Sequence, residues 1–407
     1  MIDDLACVAI CGFDSVQLNA IINGKINSKR LQFNSDKCVK LHVSPNEKKK
    51  CCKTNAGDSE QRVVNCVQLE VQDSTMREDT TEKYIGDMVS SDGSNDANIM
   101  KRRSQGYGNL SEIFSMIQSV SLGYHYVKIG LIFRETHLLS KLLLNAESWH
   151  RLLKYQIDKL EEVDNAFFHE LFNAHSKTCK EVYLIESGKV PVRFLISVRR
   201  IMYWWNIIHV KNTDILPRVY SVQKVSTIQG DWVKLLETDK KLSKITLSDE
   251  EMQKVSKFKI KNYLKKASQE LTLQYIEGLK EKHSKTQLYD TSRLSLAQYL
   301  VDSSFTKSER ELLFKLRSRT VEVKNNFQNA NPQSLLCDLC NLFTCTQEHV
   351  VSCPVLTPHC KIVNIKSVNV NHSHIYGNVD QQLAYNKIYS LFWDSRKLLI
   401  EVDAENS

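Results

Sequence analysis

The sequence predicts a mainly α protein with a small β portion at the N-terminus, an α+β arrangement whose long helical region leads into a small cysteine–histidine knuckle. Three observations predict it. Only six Pro and thirteen Gly occur in 407 residues, which favours long helices over a loop-rich all-β fold. From about residue 95 onward, apolar positions recur at helical spacing in one segment after another. Near the end stands Cys337-Asp-Leu-Cys340, then eight residues, then His349-Val-Val-Ser-Cys353.

Composition sets the outer bounds. With 42% apolar and 25% charged residues, the chain has the make-up of a globular protein of two or three domains. Its net charge of +8 is modest, so the grouping of the basic residues says more than their sum. Twelve Cys without a secretory leader pattern suggest a reduced compartment, nuclear or cytoplasmic, with thiols or metal in place of disulfides. No run of 18 apolar residues is present, so no membrane partner is expected.

Residues 1–94 form the expected β portion. Met1-Ile2-Asp3-Asp4-Leu5 leads into the apolar run Ala6–Ile10, which reads as a strand or hairpin arm. A helix is expected over 14–30, with Val16, Ala20, Ile22 and Ile26 near helical spacing. Val39-Lys-Leu41-His-Val43 alternates up to Pro45 as a short strand. Residues 44–80 are polar, with Lys48-Lys49-Lys50, and read as a loose insertion holding a short strand within 63–71. Tyr84–Val89 reads as one more strand, and Ser90–Gly93 as a turn.

Residues 95–330 form the helical region. Helices are expected at 95–119, 123–145 and 155–174, and the next begins near Pro191, a good first-turn residue. Phe194, Val198, Ile201, Trp205 and Ile208 give that helix one buried face. Ser248-Asp-Glu-Glu251 is a capping box, opening a helix that runs to about residue 283. Within it Ile260, Leu264, Ala267 and Leu271 form an apolar stripe, and Lys254, Lys257, Lys261 and Lys265 a basic one. A helix over 308–319 precedes the knuckle, which occupies 331–360, and a last helix over 379–400 lies in a tail spanning 361–407.

The knuckle carries the strongest chemistry. Cys337, Cys340, His349 and Cys353 offer four ligands for a tetrahedral Zn²⁺, because a C-x-x-C turn aims both sulfurs at one point. All four positions come from protein, the layout of a structural site. Cys345, His359 and Cys360 lie near enough in sequence to replace one ligand. Asp3 and Asp4 are the candidates for metal-assisted catalysis, set against a plain acidic N-terminus. Basic residues gather at Lys101-Arg102-Arg103, at Arg193 with Arg199-Arg200, and at six Lys between 254 and 266 with no acid among them. Such groups neutralise phosphates, and Tyr203, Trp204 and Trp205 beside Arg199-Arg200 could stack on bases. The opposing reading is a solvated basic face with core aromatics. No phosphate-cradling Gly-rich loop and no nucleophile elbow occur.

Taken together these segments resemble the C-terminal part of reverse transcriptases from non-long-terminal-repeat (LINE-like) retrotransposons. Met1-Ile-Asp3-Asp4-Leu resembles their active-site hairpin, and Leu31-Gln-Phe33 with Lys37-Cys38 and Lys40–Val43 the motif after it. Tyr84-Ile85-Gly86 is similar to their primer-grip strand. Glu147-Ser-Trp149 with Leu160-Glu161, and Gly188–Phe194 with Arg199–Tyr203, are similar to their thumb, and the Cys/His array to their C-terminal knuckle.

The resemblance implies an RNA-directed DNA polymerase. Asp3 and Asp4 would hold catalytic Mg²⁺, Tyr84, Ile85 and Gly86 would support the primer end, and RNA and DNA would be the partners. The helices from 95 onward would form a thumb and linker on a palm remnant over 1–94. Met1 stands where the family usually has an aromatic residue. Fingers, upstream palm and its catalytic Asp are not in the sequence, and only 54 residues follow Cys353, too few for an endonuclease. The chain alone is therefore expected to lack polymerase activity, with Mg²⁺ bound only if a partner such as an intact retroelement polymerase completes the site. The alternative is a non-enzymatic helical interaction protein, or a decayed element protein, with a structural zinc site.

Overall fold

The computed structural model describes residues 21, 39–40, 70–71, 74–75, 77–78, 81–84, 87–119, 123–150, 152–211, 214–225, 231–280, 289, 291–321, 323, 335–356 and 379–405. Helices dominate, and the named strands all precede Ser94, as expected of a mainly α fold with a small β portion.

Val39–Lys40 (β1) runs parallel to Arg77–Glu78 (β4), and Glu70–Val71 (β2) antiparallel to Ser74–Thr75 (β3). Thr81–Tyr84 (β5) and Asp87–Ser90 (β6) form an antiparallel pair with Tyr84 opposite Asp87. The single strand expected over Tyr84–Val89 is thus two strands. Val89 stands opposite Glu82, which lies before the start of the expected strand. The turn after β6 is present: Gly93 N donates to Ser90 O at 3.0 Å, and Gly93 has φ 68°. The elements expected at 1–12 and 14–30 lie outside the described residues apart from Ile21, the strand expected over 39–43 is described only at β1, and residues 44–69 of the expected insertion lie outside the described residues.

The first four helical segments build one block. They are Asp96–Gln118 (α1), Tyr126–Phe133 (α2), Leu139–Leu142 (α3) and Lys154–Leu171 (α4), with a π-turn over Arg134–Leu138 joining α2 to α3. Ile99, Ile113, Phe114 and Ile117 of α1 pack with Leu142 of α3 and Leu160, Val163 and Phe167 of α4 in one core. α1 passes close to α4 at Gly106, where an added Cβ would lie 2.8 Å from Val163 Cγ1. Lys180–Ser187 (α5) follows.

Val192–His209 (α6) starts after Pro191, as expected. Its fully buried residues are Val192, Ile196, Arg200, Ile201, Trp204, Ile207 and Ile208, so the inward face is rotated from the expected one and centres on Trp204. Phe194, Val198 and Trp205 are only partly buried. Three short helices follow: Ile215–Lys224 (α7), Trp232–Leu242 (α8) and Asp249–Gln253 (α9). They pack with the C-terminal half of α6 into a second core with Tyr220, Trp232, Leu236 and Met252.

The capping box of α9 is formed, with Glu251 N donating to Ser248 Oγ at 3.2 Å and Ser248 N to Glu251 Oε2 at 2.8 Å. The long helix expected from it is interrupted. Lys254 N and Val255 N bond back three residues, to Glu251 O and Met252 O, which tightens and ends the turn. Ser256 then accepts from Lys259 N on its Oγ at 3.4 Å, and Lys257–Lys280 (α10) begins. Trp205 Nε1 donates to Val255 O at 2.9 Å and holds the break against α6.

Lys307–Arg317 (α11) has a second capping box, Thr306 with Glu309. Gln347–Ser352 (α12) belongs to the knuckle, and Val379–Glu405 (α13) is the last helix. Cys337, Cys345, Val350, Cys353 and Leu356 share the first core with Phe314 and with Tyr385, Tyr389 and Phe392 of α13. The knuckle and the last helix thus share a core with the helical region. Among the described residues no helix is long and apolar enough to cross a membrane.

Candidate metal centre and basic surface

The knuckle is built by a tight hairpin followed by a one-and-a-half-turn helix. Cys337 N donates to Phe343 O at 2.8 Å, Cys345 N to Leu335 O at 2.7 Å, and Leu336 bridges Thr344. Inside this hairpin the chain turns through Asp338–Asn341, with Asn341 N on Cys337 O at 2.8 Å. Asn341 takes the left-handed conformation at φ 54°, which Asn tolerates better than most side chains. The turn brings Cys337 and Cys340 to one side. Thr346 caps α12, its Oγ1 accepting from His349 N at 3.0 Å, and so sets where the imidazole projects. Cys353 follows at the C-cap.

The four predicted ligands come together. One donor atom from each of Cys337, Cys340, His349 and Cys353 lies within 4.8 Å of every other, and Cys340 Sγ is 3.3 Å from His349 Nε2. Cys337 and Cys353 are 0% and 1% exposed, and none of the three sulfurs is in a disulfide. Cys345 is buried but outside this group, so it replaces none of the four; His359 and Cys360 lie outside the described residues.

The electrostatics of the four groups differ. Burial pushes the Cys353 thiol up to about 12. Burial acts on Cys340 too, but backbone N–H groups of Leu342 and Phe343 and the thiols of Cys337 and Cys353 outweigh it and bring Cys340 below its ordinary value. Burial lowers His349, keeping the imidazole neutral, the form that ligates. Two buried sulfurs, the partly buried sulfur of Cys340 and an imidazole thus lie close enough together to be a candidate Cys₃His metal site.

The basic residues divide sharply. Arg102 is 2% exposed and paired with Asp87, which also accepts from Asn145 Nδ2 at 2.7 Å, so it ties β6 to α1. Arg200 is 3% exposed and paired with Asp239 of α8. Arg193 grips Glu161 with Nε at 2.7 Å and Nη2 at 2.6 Å. Arg199 donates to Leu143 O at 2.6 Å, and Arg103 pairs with Glu162 at 3.1 Å. Lys101 is half-buried, its pKa lowered by burial and by neighbouring Arg102. Arg102, Arg193 and Arg200, expected at a nucleic-acid surface, are each engaged by a carboxylate distant in sequence. The aromatics beside them are engaged as well. Trp204 is fully buried with Nε1 on Asp249 at 3.0 Å, Tyr203 packs edge-on to Trp232, and Trp205 stacks on His209.

Lys254, Lys257, Lys261 and Lys265 stand differently. All are exposed, as are Lys259 and Lys266, and among the described residues none of the six forms an ion pair. Tyr84 lies in β5, whereas Asp3, Asp4, Ile85 and Gly86 lie outside the described residues.

Compared with family models, with curated proteins and with solved structures, the chain matches none.

Two features escaped sequence reasoning. Thr346, which positions His349, was signalled by its place three residues before the histidine. Exposed Phe258, on the basic face of α10, carried no such signal.

Proposed function

We propose that the chain is a nucleic-acid-binding protein of retroelement reverse-transcriptase descent, with a structural Zn²⁺ in the knuckle and a lysine face that contacts phosphates. The observation that carries it is the Cys337, Cys340, His349 and Cys353 cluster. Tetrahedral Zn²⁺ with Zn–S of about 2.3 Å and Zn–N of about 2.0 Å sets S···N separations of roughly 3.5 Å. The 3.3 Å between Cys340 and His349 is close to this. Zinc here is structural: four protein ligands leave no place for a reacting water. The six unpaired lysines over 254–266 supply the charge a polyanion needs. Mg²⁺ and polymerase activity enter this reading only with a partner, such as an intact retroelement polymerase, that completes the carboxylate set.

The test is binding of labelled RNA and DNA across salt. Affinity is expected to fall roughly 10- to 100-fold between about 50 and 200 mM salt, the response to about two to four neutralised phosphates. No binding, or affinity indifferent to salt, would overturn the reading. A second reading, a helical protein-interaction module, is favoured by α7, where Ile215, Val219 and Val222 are 73%, 46% and 69% exposed on one face. A zinc-loaded chain that ignores nucleic acid but captures a defined protein through α7 would select it.

A further inference from the structure

On α10, Ile260 and Leu264 point into the second core, 3% and 1% exposed. On the opposite side Phe258 is 74% exposed. Burying such a ring stabilises a fold, and here that gain is forgone. At 100° per residue, Lys261 and Lys265 flank Phe258 on one side of the helix and Lys259 and Lys266 on the other. Lys254 precedes it at the break. Beyond the second flank Tyr263 donates its hydroxyl to Ser243 O at 2.7 Å, which draws exposed Lys241 and Lys244 beside the helix. The result is an exposed aromatic ring framed by cations that have no carboxylate partner among the described residues.

Unpaired cations call for an anion, and a bare ring among them calls for a flat apolar surface at the same place. A polynucleotide with unpaired bases offers both, because each base has a π-face and each nucleotide a phosphate. A duplex offers the phosphates alone, since its base faces are already stacked and freeing one has a cost. We propose that the first turns of α10 form a single-strand nucleic-acid site, in which Phe258 stacks on an unpaired base while Lys254, Lys259, Lys261, Lys265 and Lys266 contact the neighbouring phosphates. The site rests on the nucleic-acid reading above and adds to it a preference for single strands and the ring that confers it.

The test uses the full zinc-loaded chain, fluorescein-labelled oligouridylate and oligothymidylate, a duplex of equal length, and vesicles rich in phosphatidylserine. Phe258→Ala is expected to weaken single-strand binding about 5- to 100-fold. It should leave duplex affinity and the salt slope unchanged. Phe258→Trp should restore binding and Phe258→Leu should not, because stacking needs a ring. Replacing Lys261 and Lys265 by Ala should make the single-strand salt slope shallower by about 1.4. If Phe258→Ala binds single strands as tightly as the parent while the lysine variant is weakened, the stacking site is wrong and the nucleic-acid reading stands. If the parent binds neither form, both fall. Tight vesicle binding that Phe258→Leu retains, with no preference for single strands, would make the patch a membrane contact and also overturn the proposal.

Discussion

Arg134 meets Asp164 side-on, with Nε 2.7 Å from Oδ1 and Nη2 2.7 Å from Oδ2. Both side chains are almost wholly buried, at 2% and 4% exposure, and Nη2 also donates to Val190 O at 3.1 Å. The guanidinium lies over the Phe168 ring at 4.9 Å. One side chain at the start of the π-turn thus joins α2, α4 and the approach to α6. Removing one partner strands a charge in the core, so Asp164→Asn is expected to cost about 3–5 kcal/mol. Replacing both residues by apolar ones of similar volume should cost less. Urea unfolding followed by circular dichroism measures both, and a loss below about 1 kcal/mol for Asp164→Asn would show the pair to be dispensable.

The knuckle carries the metal prediction. Purified chain is expected to hold about one Zn²⁺, and Cys340→Ser or Cys353→Ser to reduce this to a small fraction. Because Tyr385 of α13 donates to Gln347 O at 3.2 Å and Arg396 pairs with Asp338 at 2.9 Å, metal loss should also release α13. Gln347 Nε2 on Leu316 O at 2.8 Å links the same unit to α11. Chelation should therefore lower helicity as well as metal content. Full helicity after complete zinc removal would mean that the metal only decorates a knuckle held by packing.

What was legible in the sequence was what depends on neighbours in the chain. The bounds expected for α1, α4, α11 and the start of α6 fall within a few residues of those observed, because apolar period and caps are local signals. The four residues that come together in the knuckle were legible for the same reason. The arginines were not. Arg102, Arg193 and Arg200 read as basic clusters, yet their carboxylates lie 15, 32 and 39 residues away, at Asp87, Glu161 and Asp239. Only tertiary packing brings those pairs together. Short helices α5, α7 and α8 went unread because about three turns or fewer give the period too little length to show.

Asp249 predicts a pH response. Burial opposes its charge, but Lys224 Nζ at 2.9 Å and Trp204 Nε1 and Tyr220 Oη, each at 3.0 Å, outweigh this and hold its pKa below the ordinary carboxylate value. A carboxylate lowered on folding stabilises the fold above its unfolded pKa of about 3.9, and that contribution is lost as pH falls through the lower folded value. Asp249→Asn is expected to cost about 1.5–3 kcal/mol near neutral pH. The gap between parent and variant should narrow as pH drops below about 3.9. Urea midpoints measured at several pH values check this, and a gap that widens in acid would contradict the assigned sign.

Two glycines make opposite predictions from the same substitution. Gly188 closes α5 in the left-handed region at φ 66°, and a Cβ there would stand 2.5 Å from Leu296 N and Ser295 C. The segment it would strike is anchored, because Ala297 N donates to Glu186 O at 2.9 Å. Gly188→Ala must therefore strain the backbone or push that segment away from α5. The left-handed conformation alone costs a side chain about 1–2 kcal/mol, and the clash adds to it. Gly108 is the counterpart, exposed in mid-α1 with nothing within 4 Å of an added Cβ. There Ala removes a flexible link from the unfolded chain and is expected to stabilise by about 0.4–1 kcal/mol. Thermal unfolding of the two variants should move in opposite directions. A Gly188→Ala chain as stable as the parent would mean that residues 295–297 do not cross α5 at this point.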